Sequence, residues 1–369
     1  MSSEHAYVTP GMPALEHGER VISRFEFWPL WAMYLPVAIQ WLGLSLWYRS
    51  PTLALLANPR LPVSGMMGVG KSELMAQARG PAEHAILPWI GYRVDARDRS
   101  AQAAHLVGKA ALRGIELPFV CKPDIGCRGS GVKLIESLGD MESCLSAYPE
   151  GAALIVQRLS RYEPEAGIFY VRMPGEPEGR IVSLALKYSP YVVGDGHSTL
   201  AELMAADPRA GRLRHLYEER HRDRLDRVLA RGERFRLIFA NSHSRGSIFR
   251  DARHLVTPAL TEAIDRILSG LPDFHYGRLD VRFPDVAHLR AGRELQVVEI
   301  NAASAEPLHI WDRGARLREA YAALLAQYRL LFRIGHRNRR RGFRPPALRE
   351  VRARWQAERQ GYRFHPPTD

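Results

Sequence analysis

Apolar residues along the chain recur with two different spacings, which together predict a mixed α/β (α+β) protein. Helical spacing predicts helices over residues 101–113, 258–271 and 317–332. Short apolar or alternating runs predict strands over residues 153–159, 168–173, 181–187, 277–282 and 295–301. Residues 199–231 are rich in arginine and acidic residues and are predicted to be a solvated helical excursion.

The last two predicted strands carry the first candidate chemistry. Side chains alternate between the faces of a strand, so Arg278 and Asp280 project together, as do Glu299 and Asn301. The polar residues 283–294 suit a turn that would pair the two strands. Two carboxylates and an amide are hard oxygen donors of the kind that hold Mg²⁺, which usually also takes phosphate oxygens from a substrate. A surface hairpin with solvated charges is the alternative interpretation.

A second candidate lies upstream, where a short apolar strand delivers a lysine into a glycine-rich turn. The segment is FVCKPDIGCRGSGV, residues 119–132, and its lysine is Lys122. Glycines let backbone N–H groups approach an anion closely, and lysine adds a point charge for phosphate. Such a loop alone is weak evidence. Together with a distant aspartate and a Glu-x-Asn sequence on paired strands, it completes a four-part pattern.

With these four parts the chain resembles the ATP-grasp superfamily, and within it ligases of the D-alanine–D-alanine ligase and cyanophycin synthetase type. The resemblance covers residues 106–312, and the segment YVVGDGHSTLAEL adds to it, although His197 stands where lysine or arginine is expected. It implies an ATP-grasp fold with an N-terminal lobe, a small lid lobe and a C-terminal lobe that binds nucleotide and magnesium. The expected boundaries are an apolar segment 1–60, an N-terminal lobe 61–110, a lid lobe 111–158, a C-terminal lobe 159–335 and a basic tail 336–369.

The resemblance also implies an activity and a set of site residues. The activity is that of a ligase that uses ATP to activate a carboxylate as an acyl phosphate and joins it to an amine, releasing ADP and phosphate. The implied catalytic residues are Arg278, Arg245 and Lys122. The implied Mg²⁺ ligands are Asp280, Glu299 and Asn301. The implied ATP-binding residues are Lys122, Gly126, Arg128, Gly129, Ser130, Gly131, Gln157, Glu165 and Lys187. Lys109 is a candidate second nucleotide lysine, with a solvated helix lysine as the alternative.

A different function is offered by residues 65–72, GMMGVGKS, which match the Walker A pattern and would make Lys71 and Ser72 part of a P-loop NTPase. A P-loop follows a buried strand, whereas Pro59 and Pro62 make the preceding residues a poor central strand. We therefore favour a turn and a helix start that faces the substrate. A third alternative is a non-catalytic, membrane-associated protein on an ATP-grasp scaffold.

Residues 27–48 contain no charged residue and have aromatic residues at both ends. The run is long enough to cross a bilayer, and its aromatic ends match interfacial belts. Pro29, Pro36 and Gly43 interrupt a single continuous helix. A membrane-embedded or interfacial anchor, a buried core helix and a membrane span all remain open. A signal peptide is not expected, since the run is long and lacks a small-residue cleavage site.

Charge and cysteine content narrow the partners and the location. The 369 residues include 52 Lys and Arg against 40 Asp and Glu, a formal net charge of +12, which favours an acidic partner such as a nucleotide or an anionic lipid surface. No nucleic-acid motif accompanies the basic tail, so an anionic membrane face is preferred over nucleic acid. The odd number of cysteines fits a reducing compartment. We expect a cytoplasmic enzyme at the inner face of the membrane, with carboxylate and amine substrates, one of them acidic, and a homodimer is left open.

Overall fold

The computed structural model describes residues 7–15, 22–23, 25–126, 129–242 and 245–362. Cys127 and Arg128 of the predicted lid loop, and the end of the predicted basic tail, lie outside these ranges. The helices in the described part are α1 (Leu30–Trp47), α2 (Lys71–Met75), α3 (Pro81–Ala85), α4 (Arg99–Ala111), α5 (Leu138–Ser146), α6 (Leu200–Ala206), α7 (Arg214–Tyr217), α8 (Pro258–Ser269), α9 (Val286–Arg290), α10 (Leu317–Arg340) and α11 (Leu348–Tyr362). The strands are β1 (Trp89–Arg93), β2 (Phe119–Pro123), β3 (Lys133–Ile135), β4 (Ala153–Arg158), β5 (Glu165–Val171), β6 (Arg180–Tyr188), β7 (Tyr191–Val193), β8 (Arg234–Arg236), β9 (Ile248–Asp251), β10 (Tyr276–Arg282) and β11 (Gln296–Asn301).

The smaller lobe is an antiparallel sheet in the order β1-β4-β2-β3 with α4 and α5 packed on it. Helix α4 starts where the Asp98 side chain accepts from the Ala101 N–H, and α5 starts at a capping box made by Ser137 and Asp140. Because β1 pairs with β4 and α4 shares the core of α5, this lobe runs from β1 to β4. The lobe therefore begins earlier than the boundary expected at residue 111.

The larger lobe is built on an antiparallel sheet in the order β11-β10-β5-β6-β9. Helix α8 covers one face of this sheet, and its apolar side packs against apolar residues of β5, β10 and β11. It starts at Thr257, whose hydroxyl accepts from the Leu260 N–H, with Pro258 at the first helical position. On the opposite face, α10 and residues of the 53–57 segment cover one end, and charged side chains occupy the other end.

A β-bulge in β11 decides which side chains reach that charged end. Asp280 pairs with Glu299 and Arg278 pairs with Asn301, but the register shifts so that Val281 pairs with Val297 and Val298 is left over. The bulge lets Val297 and Ile300 both pack on the α8 face, while Glu299 and Asn301 lie beside Asp280 and Arg278. The predicted hairpin is present, although its connection contains α9 rather than a simple turn.

The chain between β7 and β8 has a small core of its own. Leu200, Met204, Tyr217 and Leu229 are buried there together, against the expectation of a solvated excursion. Helix α6 begins at a capping box formed by Thr199 and Glu202. The GDG part of the segment that resembles cyanophycin-type ligases forms the turn before this helix.

Helix α1 packs along α10, with the Trp41 and Phe332 rings 5.2 Å apart and the Tyr34 and Tyr328 rings 6.4 Å apart. Its inner side thus behaves as the buried core helix that was one of the three alternatives. Among the described residues, no helix combines the length and apolar character required to cross a membrane.

The basic tail also contributes structure, because α10 continues past the predicted end at residue 332 and α11 follows it. Arg354 of α11 donates to the Gly68 carbonyl at 3.1 Å. Gly68 has a φ of +58°, and a Cβ at this position would lie 2.2 Å from the Arg354 carbonyl oxygen. Only glycine allows α11 to approach the 65–70 loop this closely.

Candidate active site

A cleft runs between the two large sheets and joins two cavities. The first cavity is lined by Lys122 and Gln157 of the smaller lobe and by Glu165, Asp280 and Glu299 of the larger lobe. The second cavity is lined by the 65–71 loop, by the β10–β11 hairpin and by α11. The residues that both cavities share are Lys71, Gly126, Gly129, Lys187, Asn241, Asp280 and Glu299. The mixture of apolar and polar residues in this lining is typical of a small-molecule site.

Lys122 crosses from the smaller lobe to the larger one. It lies on β2, is buried, and donates to Gln157 Oε1 at 2.7 Å and to the Val298 carbonyl at 3.3 Å. That carbonyl belongs to the residue which the bulge leaves unpaired. Burial lowers the pKa of Lys122 to about 8, and the negative charge of Glu299 is the largest influence that opposes the shift. The two segments expected to meet around a nucleotide therefore do meet.

Asp280 is the centre of the charge network on the larger sheet. Arg278 binds it with two hydrogen bonds, of 2.9 and 3.1 Å, and Lys187 Nζ lies 2.9 Å from its Oδ1. Asn301 Nδ2 donates to the other oxygen at 3.3 Å. Burial opposes ionisation of Asp280, but Arg278 and Lys187 outweigh it and lower its pKa to about 2. Asp280 is therefore ionised at any physiological pH.

The predicted magnesium ligands have a donor set that fits the ion. Mg²⁺ in nucleotide sites is typically bound by one or two carboxylates together with substrate phosphates. Asp280, Glu299 and Asn301 supply two carboxylates and an amide, and all three line the second cavity. In the described ranges no group of three or more His, Cys, Asp or Glu residues forms a metal site, so an ion here would depend on the Asn301 amide and on ligand oxygens.

Glu165 lies deeper, in an ion-pair network behind Asp280. Lys187 bridges the two carboxylates, at 2.9 Å from Glu165 Oε1, and Arg282 lies 3.4 Å from Oε2. Asn241 donates to Oε2 at 3.0 Å. Burial raises the pKa of Glu165, but the two cations lower it further, so the pKa falls below its usual value. A ribose contact, the role implied for Glu165, would have to compete with these bonds, and this geometry favours a role in holding Lys187.

Gln157 lines the first cavity, and both ends of its amide are bonded to neighbouring protein groups. Its amide oxygen accepts from Lys122, and its Nε2 donates to the Leu87 carbonyl at 3.3 Å. The Lys122 and Gln157 side chains are both buried. Gln157 thus fixes the direction of the Lys122 side chain.

The glycine-rich loop folds over the cleft. Gly126, Gly129 and Ser130 line the first cavity. Gly129 has a φ of +71°, and a Cβ there would lie 3.0 Å from the Ala240 Cβ of the larger lobe. Gly131 instead accepts from the Tyr148 hydroxyl at 3.1 Å, which anchors the loop to its own lobe. Arg128, also expected to bind ATP, lies outside the described residues.

The Walker-like segment does not form a P-loop. A 3₁₀ helix, Pro62–Gly65, precedes it in place of a buried strand, and α2 has only five residues. The N-terminal end of α2 is already occupied, because Asp124 accepts from the Ser72 N–H at 2.8 Å and from its hydroxyl at 2.7 Å. The P-loop alternative is therefore wrong.

The same segment nevertheless contributes a site residue that was assigned only to the P-loop alternative. Lys71 Nζ donates to the Gly126 carbonyl at 2.7 Å and lies 3.6 Å from Glu299 Oε1. Lys71 thereby links the glycine-rich loop to Glu299, one of the three expected Mg²⁺ ligands. In the sequence, Lys71 is distinguished only by its glycine-rich neighbours, and because residues 65–72 match the Walker A pattern they indicate a P-loop fold instead.

The remaining candidates are placed less centrally. Arg245 lies beside the glycine-rich loop, with its Cδ 3.8 Å from where a Cβ of Gly129 would be. Lys109 is exposed on α4, as in the alternative interpretation. His197 is exposed and pairs with Asp195 at 3.2 Å.

Glu306 is a further acidic group that lines the second cavity. Arg278 donates to its main-chain carbonyl at 3.2 Å, and the Tyr34 hydroxyl of α1 donates to its carboxylate. Burial raises the pKa of Glu306 to about 7. The second cavity thus contains a carboxyl group that changes charge near neutral pH.

Comparisons with known proteins give matches among solved structures only. No family model matches the sequence. No curated protein matches it either.

Among solved structures, the chain is similar to D-alanine–D-alanine ligase from Bacillus anthracis, with 14% identity, a TM-score of 0.39, and coverage of 74% of this chain and 68% of that chain. It is similar to a bifunctional glutathione synthetase from Pasteurella multocida, with 16% identity, a TM-score of 0.33 and coverage of 67% of this chain but only 34% of that one. A D-cycloserine synthetase matches with 15% identity, a TM-score of 0.36, and coverage of 71% and 70%. By their names these are a ligase and two synthetases.

Proposed function

We propose that this chain is an ATP-grasp ligase that activates a carboxylate with ATP and joins it to an amine. One observation carries the proposal: Lys122 from one sheet and Asp280, Glu299 and Asn301 from the other border a single cleft. A basic side chain opposite oxygen donors suits a magnesium nucleotide, whose phosphates need both cations and a metal ion. The ligases and synthetases among the structural neighbours agree with this assignment.

The first cavity suits the nucleotide. Val120, Leu159 and Phe239 give it an apolar part that fits the base, while Lys122 and Lys71 bring positive charge to the phosphate end. The glycine-rich loop covers this end and excludes water, which protects a reactive acyl phosphate from hydrolysis. ATP therefore lies along the cleft, with its γ-phosphoryl group directed toward the second cavity.

Asp280, Glu299 and Asn301 are the residues that would hold Mg²⁺ on the phosphates. When bound, the ion neutralises the charge that develops on the transferred phosphoryl group. Arg278 and Lys187 hold Asp280 ionised and in one orientation, so that the Asp280 carboxylate keeps its charge and position during the reaction.

The second cavity suits the carboxylate and the amine. A carboxylate oxygen attacks the γ-phosphorus, and the bond to the bridging oxygen of ADP breaks. The amine nitrogen then attacks the acyl carbon, phosphate leaves, and the nitrogen loses a proton. Arg278 lines the second cavity and binds Asp280, which lines both cavities, so its positive charge would be close to both the phosphoryl group and the substrate carboxylate.

The test is a screen of carboxylate and amine pairs for phosphate release, together with ATP titrations with and without Mg²⁺. Glu299→Gln and Asn301→Ala are expected to abolish carboxylate-dependent ADP release, whereas Glu176→Gln on the surface leaves it unchanged. Near-normal turnover in both site variants would refute the metal assignment. Failure of the wild-type chain to bind ATP with or without Mg²⁺ would favour the non-catalytic alternative.

A further inference from the structure

We propose that helix α1 docks this protein on an anionic membrane surface, with the helix axis in the plane of the bilayer. The proposal is independent of the ligase activity and depends on the outer side of the helix. Between residues 27 and 47, that side exposes large apolar residues at both ends and throughout its length. They are Phe27, Trp28, Trp31, Leu35, Ile39, Leu42, Leu46 and Trp47.

The exposed area is too large for an ordinary surface. The exposed fractions of these eight side chains range from 42% for Phe27 and Trp28 to 81% for Leu46 and Trp47. At about 200 Å² for a fully exposed large side chain, they present roughly 1,000 Å² of apolar surface. The largest apolar patch on a typical soluble monomer is about 300–600 Å², and larger patches mark interaction sites.

The inner side of α1 fixes how the helix meets a partner. Met33 and Val37 are buried against the larger lobe, and Trp41 packs on Phe332 of α10. Trp31, Leu35, Ile39, Leu42 and Leu46 follow one another at three- and four-residue spacing along the outer side. Because one side is attached to the protein along its length, the helix lies flat and meets a bilayer as an interfacial helix does.

The charges beside the helix select an anionic surface. Arg49 follows α1 directly, and Arg339 of α10 donates to the Tyr48 carbonyl at 3.2 Å, with Arg340 next to it. Within the described part of the chain none of these three forms an ion pair with a carboxylate, whereas nearby Arg337 and Arg341 pair with acidic residues. Each basic residue near an anionic leaflet adds to the attraction.

A second copy of the chain is a poorer partner for the same surface. It would cover the apolar residues, but residues 27–49 contain no aspartate or glutamate to meet the arginines in either orientation. Lipid phosphates supply that charge, and the acyl boundary supplies the apolar contact. The tryptophans near both ends of the helix also prefer the membrane interface.

The experiment is flotation of the full-length chain with vesicles, which needs neither ATP nor substrate. Vesicles of phosphatidylcholine with one quarter phosphatidylglycerol are expected to carry the protein. Pure phosphatidylcholine is expected to bind it at least ten-fold more weakly, as is high salt with the anionic vesicles. Brominated acyl chains are expected to quench tryptophan fluorescence in the bound state, which reports insertion of the Trp31 and Trp47 side of α1.

Matched variants separate this surface from general surface effects. Leu42→Glu/Leu46→Glu places two charges on the outer side of α1 and is expected to lower vesicle binding at least ten-fold. Leu112→Glu/Leu138→Glu adds the same charge at exposed positions of the smaller lobe and is expected to change it less than two-fold. Circular dichroism of both variants should match the wild type, because all four side chains are exposed.

Two outcomes would overturn the proposal. One is a wild-type chain that does not bind anionic vesicles, or binds them as well after the α1 substitutions. The other is a wild-type dimer that dissociates in Leu42→Glu/Leu46→Glu without any vesicle binding, which would assign the surface to a second copy of the chain.

Discussion

Replacing Lys71 with methionine tests whether this lysine of the Walker-like segment binds nucleotide in the cleft, although the segment does not form a P-loop. Lys71 donates to the Gly126 carbonyl and lies 3.6 Å from Glu299 Oε1, at the phosphate end of the proposed nucleotide cavity. Methionine keeps the length and apolar stem of the side chain and removes the charge. A nucleotide phosphate in this cavity would then lose one of its two flanking lysines.

The expected magnitude follows from the kind of contact that is lost. A hydrogen bond to a charged group contributes about 1.5–3 kcal/mol, so the Kd for ATP should rise by about 10- to 100-fold. The free energy of unfolding should fall by about 0.5–1.5 kcal/mol, because methionine loses the 2.7 Å hydrogen bond to the Gly126 carbonyl, whereas the longer pair with Glu299 adds little. A fall of this size leaves the chain folded, so the change in ATP affinity can be measured apart from the change in stability.

The assay is calorimetric titration with ATP and Mg²⁺, alongside urea unfolding of the same samples. Lys109→Met provides the matched control, because Lys109 is exposed on α4 away from the cleft. Lys122→Met is expected to weaken binding at least as much as Lys71→Met. An unchanged Kd in Lys71→Met would refute the assignment of this lysine, and an unchanged Kd in Lys122→Met would refute the whole nucleotide site.

Three further predictions concern charge, pH and the loop. Asp280→Asn leaves Arg278 without its carboxylate and Lys187 with only Glu165, and should lower the free energy of unfolding by about 3 kcal/mol. Urea unfolding measures this, and a loss as small as that of exposed Asp226→Asn would contradict it. The pKa of Lys122 is lowered to about 8, so its charge is present below pH 8 and lost above it. The Kd for ATP should therefore rise up to ten-fold per pH unit above pH 8, and a pH-independent Kd in the wild type, or the same rise in Lys122→Arg, would speak against this. Gly129→Ala should lower the free energy of unfolding by about 1–2 kcal/mol, because Gly129 has a left-handed backbone, and should raise the KM for ATP, because the new Cβ crowds Ala240. Gly151→Ala is the control, since Gly151 has a similar φ but open space around it and should affect stability alone. Equal KM values in the two variants would show that the loop does not close on the nucleotide.

The parts of the site that the sequence predicted are those with a strict local period. Arg278 and Asp280 share a face because they are two residues apart on one strand, and Glu299 and Asn301 follow the same rule. The apolar run of β2 likewise places Lys122 at the start of the glycine-rich loop. These inferences needed only neighbouring residues.

The parts that were missed depend on residues far apart in the chain. The bulge at Val298 could not be predicted, because Val297 and Val298 are identical neighbours and nothing in the sequence distinguishes them. It is visible only in the register of β11 with β10. Strand β1 belongs to the smaller lobe because it pairs with β4, some sixty residues later. Glu165 has the charge of a ligand-binding residue, and only the approach of Lys187 and Arg282 shows that its oxygens are occupied.

Helix α11 lines the cavity that we propose for the carboxylate and the amine, and not the cavity proposed for the nucleotide. It places Glu358 in the second cavity and rests on the 65–70 loop, yet only a short connection ties it to α10 and it does not line the first cavity. We therefore expect substitutions in α11 to change which amine or carboxylate substrates fit the second cavity without changing the affinity for ATP. We also expect a chain cut before residue 348 to bind ATP as the full chain does, and to lose one side of the proposed substrate cavity.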